Sequence, residues 1–222
     1  MKKALRIFVA LLALAAACAA TSPLVLYLLG LRLVPQEQLT LSIAPMPQKP
    51  IAVVWASLGG SGAPRIDCVN PYTFVWRLWS AAPAASPEDQ VAILGSRALL
   101  GRAPRLSRAK CKLESASAYI WTTRHWTAEQ AISTFLAQAY FGHGFTGLEA
   151  AAQGYFGRAA VDLSSEQLAH LIVVTRAPSN LDPWCHGDRN RSAAREVIAR
   201  LPADSTLGPL NLLPPPANAC GA

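Results

Sequence analysis

The side chains best suited to acid–base or metal chemistry are scattered along this 222-residue sequence. Its histidines, at positions 125, 143, 170 and 186, show no ligand spacing, so each is interpreted as a surface or hydrogen-bonded core histidine. The GxSxG, HExxH, P-loop and dinucleotide-binding signatures are all absent. The glycine cluster Gly59–Gly62 favours a flexible turn over a phosphate cradle. These residues indicate no common catalytic class.

The most informative stretch runs from Tyr140 to Arg158 and has the sequence YFGHGFTGLEAAAQGYFGR. Its closely spaced glycines permit a backbone path that side chains would forbid. Three successive alanines, 150–152, then predict a small-residue helix that lets its neighbours pack closely. On physical grounds alone the stretch indicates a tight helix–loop–helix corner.

This stretch resembles the peptidoglycan glycosyltransferase domain of glycosyltransferase family 51, which occurs in bifunctional penicillin-binding proteins and in monofunctional biosynthetic transglycosylases. The family motif is Tyr-Phe-Gly-x-Gly-x-x-Gly-x-Glu-Ala-Ala-Ala-x-x-Tyr-Phe-Gly-Lys, and here Arg158 replaces the final lysine. The similarity continues through Asp162–Ser164 and Ala177–Ser179, so it covers roughly residues 127–183. The resemblance implies a lysozyme-like helical domain that elongates glycan chains from lipid II, using a lipid-linked donor whose pyrophosphate leaves.

The resemblance also assigns candidate site residues in a basic stretch further upstream. Glu114 is similar to the family's second catalytic glutamate, which lies near the pyrophosphate of the donor. The resemblance implies a divalent metal at this pyrophosphate, although no ligand cluster is visible in the sequence. The candidate substrate-binding residues are Arg105, Arg108, Lys110 and Lys112, and Arg102 extends the same basic rim. Alternatively, Lys110 and Glu114 form a solvated i, i+4 pair and the rim is an ordinary helix start.

Two other family signatures are missing from the sequence. The first, Glu-Asp-x-x-Phe-x-x-His-x-Gly, carries the general base; Glu88–Asp89 begins like it, but the later positions do not match and the pair is explained as a helix start. The second, Gly-Gly-Ser-Thr-x-x-x-Gln-Gln, is not found, and Ala137 replaces a family asparagine. Loss of a positioned general base costs about 10²–10⁴-fold in rate.

Two hypotheses about function therefore remain open. The protein is either an active, divergent peptidoglycan glycosyltransferase whose base is Asp67 or Glu88, or a catalytically silent relative. The silent relative would bind lipid-linked precursor or other wall-synthesis proteins.

Capping signals and apolar periodicity predict a mainly α fold around these residues. Ser86, Thr127 and Ser164 are predicted N-caps, and no long stretch alternates with period two. The segment 51–85 gives no clear prediction. The predicted helices cover about 86–101, 107–121, 127–141, 148–155, 164–177 and 189–201.

An uncharged segment, Ile7 to Leu31, precedes the domain. As a helix it is roughly 37 Å long, against about 30 Å for the hydrocarbon core of a bilayer, which predicts one uncleaved transmembrane helix. A cleaved signal peptide is the alternative, because Lys2, Lys3 and Arg6 would form its basic region. These cations place the N-terminus inside, so the domain is expected on the periplasmic, or extracytoplasmic, side of the bacterial inner membrane.

Charge excludes one class of partner. Four of the seven net positive charges lie within residues 1–34, so the remaining chain lacks the basic footprint of a nucleic-acid-binding protein. The expected partners are lipid II or a growing glycan strand, the membrane, and other wall-synthesis proteins.

The predicted organisation is a cytoplasmic tail and anchor (1–34), a proline-rich extended stalk (35–50), the glycosyltransferase-like domain (51–202) and a flexible tail (203–222). Four cysteines outside the anchor predict two disulfides, as expected in an oxidising compartment, in preference to a zinc site. Three connectivities are possible, of which Cys68–Cys111 with Cys185–Cys220 is favoured.

Overall fold

The computed structural model describes residues 2–39, 46–80, 85–101, 107–202, 210–217 and 219–220. Within these ranges the regular secondary structure is helical, and an isolated antiparallel bridge joins Tyr140 to Thr146. The predicted mainly α fold is therefore confirmed. In chain order the helices are α1 (Lys2–Leu31), α2 (Gln36–Leu39), α3 (Gln48–Ser57), α4 (Pro71–Trp79), α5 (Pro87–Leu100), α6 (Arg108–His125), α7 (Ala128–Gln138), α8 (Leu148–Phe156), a 3₁₀ turn (Ala160–Asp162), α9 (Ser165–Val174) and α10 (Gly187–Ile198).

Local capping starts three helices where the sequence predicts them. Ser86 Oγ accepts a hydrogen bond from the Asp89 backbone N–H at 3.2 Å, and Thr127 and Ser164 each form a reciprocal capping box with a glutamine three residues later. α6 continues past the predicted end at residue 121 to His125, and α10 begins two residues earlier than predicted.

The segment 51–85, which gave no clear prediction, contains most of α3 and all of α4. α3 is buried along most of its length, so it lacks the alternation of apolar and polar residues that marks a surface helix. α4 begins at a capping box in which Asn70 Oδ1 accepts hydrogen bonds from the backbone N–H groups of Tyr72 and Thr73, both at 2.9 Å.

The structure also differs from the extended stalk expected at residues 35–50. α2 lies in this segment, and α3 begins within it at Gln48. Pro50 is buried in the first turn of α3, where its missing N–H leaves no helical hydrogen bond unmade. The Met46 backbone N–H donates to Ser133 Oγ at 3.0 Å. The described part of this segment is therefore packed on the domain.

The main core surrounds α9, whose Leu168, Leu171 and Ile172 are at most 2% exposed. Helices α3, α8 and α10 pack against α9, and α7 joins the same core through α3 and α8. A second, smaller cluster joins Val34, just after α1, to Leu99 of α5 and Ala118 of α6. The second cluster therefore packs the segment after α1 against α5 and α6.

The domain covers the C-terminal end of α1. Residues 6–22 are exposed, whereas Pro23, Tyr27 and Leu31 are half-buried and Gly30 is buried. The Ser117 hydroxyl of α6 donates to the Tyr27 carbonyl oxygen at 3.1 Å. By length and composition, Arg6–Leu31 of α1 is a candidate membrane span.

Replacing Gly30 with alanine is expected to weaken the packing between α1 and α6. A Cβ atom at Gly30 would lie 2.0 Å from Ser117 Oγ and 2.7 Å from the Leu113 carbonyl oxygen, so the helices must move apart. Such overpacking costs about 1–3 kcal/mol, and each kcal/mol lowers Tm by roughly 2–4 °C in a protein of this size. Thermal unfolding of the full chain in detergent measures this change.

Gly187→Ala is the matched control, because its Cβ would meet open space in the first turn of α10. Its Tm is expected to equal or slightly exceed that of the wild type. A Gly30→Ala protein as stable as the Gly187→Ala protein would contradict the close approach of α1 and α6.

Candidate functional site

Glu114 lies on the buried side of α6 and is 5% exposed. Its neighbours along the helix, Leu113 and Ser117, are the residues against which Gly30 of α1 packs. Among the described residues, no hydrogen bond or ion pair reaches its carboxylate. Burial raises the pKa of the Glu114 carboxyl, so this group keeps its proton to a higher pH than an exposed glutamate.

The predicted basic residues lie at different angles around α6. Arg108, Lys110 and Lys112 are all exposed. At 3.6 residues per turn, Lys110 lies about 40° from Glu114, Arg108 about 120° and Lys112 about 160°. In the described structure no ion pair joins Lys110 to Glu114, so the alternative of a solvated pair is not observed. Of these cations, Lys110 shares the Glu114 side of the helix.

Two further predicted cations, Arg102 and Arg105, lie outside the described residues. Their place in the basic rim stays a prediction. The part of the rim that the structure describes begins at Arg108, the first residue of α6.

The carboxylates considered as a general base are engaged elsewhere or exposed. Glu88 Oε1 accepts from Arg65 Nε at 2.7 Å, and hydrogen bonds from its own backbone N–H and from Arg65 lower the pKa of Glu88. Asp89 Oδ1 accepts from Arg77 at 2.7 Å and from the Tyr119 hydroxyl at 2.8 Å. Asp67 is exposed on the segment before α4. Glu88 and Asp89 therefore connect the start of α5 to Arg65 and Arg77 through ion pairs.

A cleft of about 440 Å³ opens between the C-terminal ends of α5 and α7. Arg97 and Gln138 are its main polar side chains, and Ala137 lies where the family motif has an asparagine. The glycine-rich corner predicted after α7 forms one edge of this region. Gly147 has φ of 87°, and a Cβ atom there would lie 2.8 Å from the Ala137 carbonyl oxygen.

A polar network that sequence reasoning missed surrounds Asp182. Its Oδ2 lies 2.6 Å from His143 Nε2 and accepts from the Tyr155 hydroxyl at 3.0 Å, while Oδ1 accepts from two backbone N–H groups. Burial and the Asp182 carboxylate raise the pKa of Tyr155. A local signal is the position of His143 between Gly142 and Gly144, which let the chain turn with positive φ at all three residues.

The described residues contain one group of three potential metal ligands, and it does not fit the divalent metal that the resemblance implies. The group is His143, Asp182 and Cys185. Cys185 is bonded to Cys220, so its sulfur is not available as a thiolate. The two remaining ligands are already hydrogen-bonded to each other. Among the described residues, Glu114 is not part of a group of three potential metal ligands.

One predicted disulfide is present and the other is wrong. Cys185–Cys220 is formed, whereas Cys68 and Cys111 are not bonded to each other. Val69, next to Cys68, hydrogen-bonds with Thr123, which lies twelve residues beyond Cys111 on α6. That is about 18 Å along a helix, beyond the roughly 7 Å between Cα atoms that a disulfide can bridge.

Comparison with known proteins matches residues 96–202 to the Transglycosylase family. Penicillin-binding protein 1F of Bacillus subtilis (strain 168) is 31% identical over 78 residues, covering 35% of this chain and 11% of that protein. Penicillin-binding protein 1A of Rickettsia felis is 33% identical over 90 residues, covering 40% and 11%. The Aquifex aeolicus penicillin-binding protein 1A is 31% identical over 98 residues, covering 44% and 14%. The chain thus spans about a tenth of the length of these relatives. Glu114 and the segment 140–158 lie within the family match.

Replacing Glu114 with glutamine is expected to stabilise the protein at neutral pH and not in acid. Because burial holds the pKa of the folded Glu114 carboxyl above its ordinary value, ionisation of Glu114 opposes folding as the pH rises through and beyond that ordinary value. At a lower pH the Glu114 carboxyl is protonated in both the folded and the unfolded protein, so its ionisation no longer destabilises the fold. Glu114→Gln should therefore raise Tm at pH 8, by roughly 2–4 °C per kcal/mol relieved, and leave it nearly unchanged at pH 4.

Thermal unfolding across this pH range measures the effect. Glu196→Gln is the matched control because Glu196 is exposed on α10, and its pH profile is expected to follow the wild type. A Glu114→Gln protein less stable than the wild type at pH 8 would contradict a buried carboxyl without a partner.

Proposed function

Because residues 96–202 match the Transglycosylase family, we propose that this protein is a membrane-anchored peptidoglycan glycosyltransferase relative that binds lipid II without polymerising it. The observation that carries the proposal is the isolation of Glu114. The family-matched segment keeps this buried carboxyl, while the carboxylates of α5 are held in ion pairs.

The location of Glu114 suits a lipid-linked pyrophosphate. The carboxyl lies on the part of α6 that packs against Gly30, at the C-terminal end of the candidate membrane span. A pyrophosphate at the bilayer surface would meet the exposed Lys110 and Arg108 on the same helix. Burial favours the neutral form of the Glu114 carboxyl, which does not repel a phosphate as a carboxylate would.

The same geometry argues against glycan polymerisation. The transfer requires a base that removes a proton from the acceptor hydroxyl, and an effective base has a pKa near the working pH. Hydrogen bonding lowers the pKa of Glu88, which makes it a weaker base, and Asp89 is held by Arg77 and Tyr119. Asp67 is exposed to water on the segment before α4.

The proposed setting is the bacterial inner membrane. α1 would span it once with the basic N-terminus inside, which places the domain on the periplasmic side. The Cys185–Cys220 disulfide is of the kind that persists in such an oxidising compartment. Growing glycan strands and other wall-synthesis proteins are the further partners proposed there.

The direct test measures binding and polymerisation with the same purified full-length protein. We expect lipid II to bind, and no glycan polymer to form from it. Replacing both Arg108 and Lys110 with alanine should weaken binding by about tenfold or more, since a hydrogen bond to a charged group contributes about 1.5–3 kcal/mol.

Arg195→Ala removes an exposed charge from α10 and is the control expected to bind normally. Glycan polymer made by the wild type and lost in Glu114→Gln would show an active enzyme and overturn the proposal. The proposal would also be contradicted if the wild type did not bind lipid II. Equal lipid II binding by the wild type and the Arg108/Lys110 variant would contradict it as well.

A further inference from the structure

The apolar side of α4 faces outward. Tyr72, Val75, Trp76, Leu78 and Trp79 are all exposed, with Trp76 at 71% and Trp79 at 88%. At 100° per residue these five side chains occupy one continuous arc of roughly 160°. Tryptophan side chains bury about 150–250 Å² each when covered, so this apolar face is large for a surface exposed to water.

The opposite side of α4 fixes this orientation. Arg77 points toward the domain and donates to Asp89 Oδ1 at 2.7 Å. The Phe74 ring packs on Tyr119 of α6, with ring centroids 5.7 Å apart. An amphipathic helix on a soluble domain normally buries its apolar side and exposes its charges, which is the reverse of this arrangement. The outward apolar face is therefore imposed by specific inward contacts of α4.

α4 also packs against α1. The described residues of α1 that the domain covers lie between Pro23 and Leu31. A hydrocarbon core about 30 Å thick takes about 20 residues of helix, so the last residues of the span lie in the interfacial layer. A helix beside that end of α1 lies at the depth where tryptophan and tyrosine are enriched in membrane proteins.

We propose that α4 lies in the interfacial layer of the bilayer, with Trp76 and Trp79 inserted between headgroups and acyl chains beside α1. The proposal rests on the membrane anchoring in the proposed function. The partner is the lipid surface, because α4 packs against the candidate span and its exposed face consists of aromatic and aliphatic side chains. α4 then holds the domain at a fixed distance from the bilayer, because Arg77 of α4 binds Asp89 of α5 and Phe74 of α4 packs on Tyr119 of α6.

Tryptophan fluorescence in brominated lipids tests this placement. The full-length protein is reconstituted in phosphatidylcholine vesicles that carry bromine either near the headgroup end of the acyl chains or near the bilayer centre. Quenching should be stronger with the shallow bromines. Replacing both Trp76 and Trp79 with phenylalanine should remove most of this quenching. The control Trp184→Phe, which removes a ring packed against Tyr155 inside the domain, should leave the quenching unchanged.

Alkaline carbonate extraction of the same vesicles separates failure of the anchor from failure of α4. Protein released by carbonate would overturn the anchoring and, with it, the proposed function. Protein that stays embedded, with equal quenching in the wild type and the double phenylalanine variant, would overturn the α4 proposal alone. A third outcome is that no quenching occurs and that cross-linking between copies of the protein rises with protein density. This outcome would assign the exposed face of α4 to a second copy and would also overturn the α4 proposal.

Discussion

The close contact between α1 and α6 is the constraint on which the rest of the site depends. Gly30 allows the two helices to approach until its backbone touches Leu113 and Ser117, and the Ser117 hydroxyl bonds to the Tyr27 carbonyl oxygen. Glu114 lies between those two contact residues in the sequence of α6 and is 5% exposed. A small residue at a helix crossing is what membrane helices use to approach closely. The position of the candidate span relative to the buried carboxyl is thereby fixed.

Glu114 has no hydrogen-bond or ion-pair partner among the described residues, whereas Glu88 and Asp89 are held by neighbouring cations. Glu88 and Asp89 stand at the start of α5, where Arg65, Arg77 and Tyr119 engage them. Releasing either one would leave a charged partner unmatched, so both act as structural groups in this fold. A fold does not by itself imply an activity, since activity depends on particular side chains in position. The proposed binding role keeps the part of the site near the membrane and does not require a general base.

The sequence predicted those features that depend on neighbouring residues. Capping side chains such as Ser86 and Thr127 bond to backbone only three residues away, so they mark helix starts directly. α4 was missed because it is only nine residues long, too short for its apolar side to give a clear helical period, and because its aromatic residues are also common in strands. The His143–Asp182 contact joins residues 39 positions apart, and the wrong Cys68–Cys111 pairing depended on where the segment before α4 meets α6. Contacts between distant segments are set by tertiary packing, which local patterns do not encode.

The packing of α1 on α6 is measured most directly by photo-cross-linking from within the span. The photoreactive residue p-benzoylphenylalanine would replace Tyr27, whose side chain is half-buried on the face that meets α6. After irradiation of the full-length protein in a lipid bilayer, mass spectrometry of the digested protein identifies the partner peptide. The account predicts an intramolecular cross-link to a peptide from residues 108–125. Adducts formed only with lipid, or only between two copies of the chain, would contradict it.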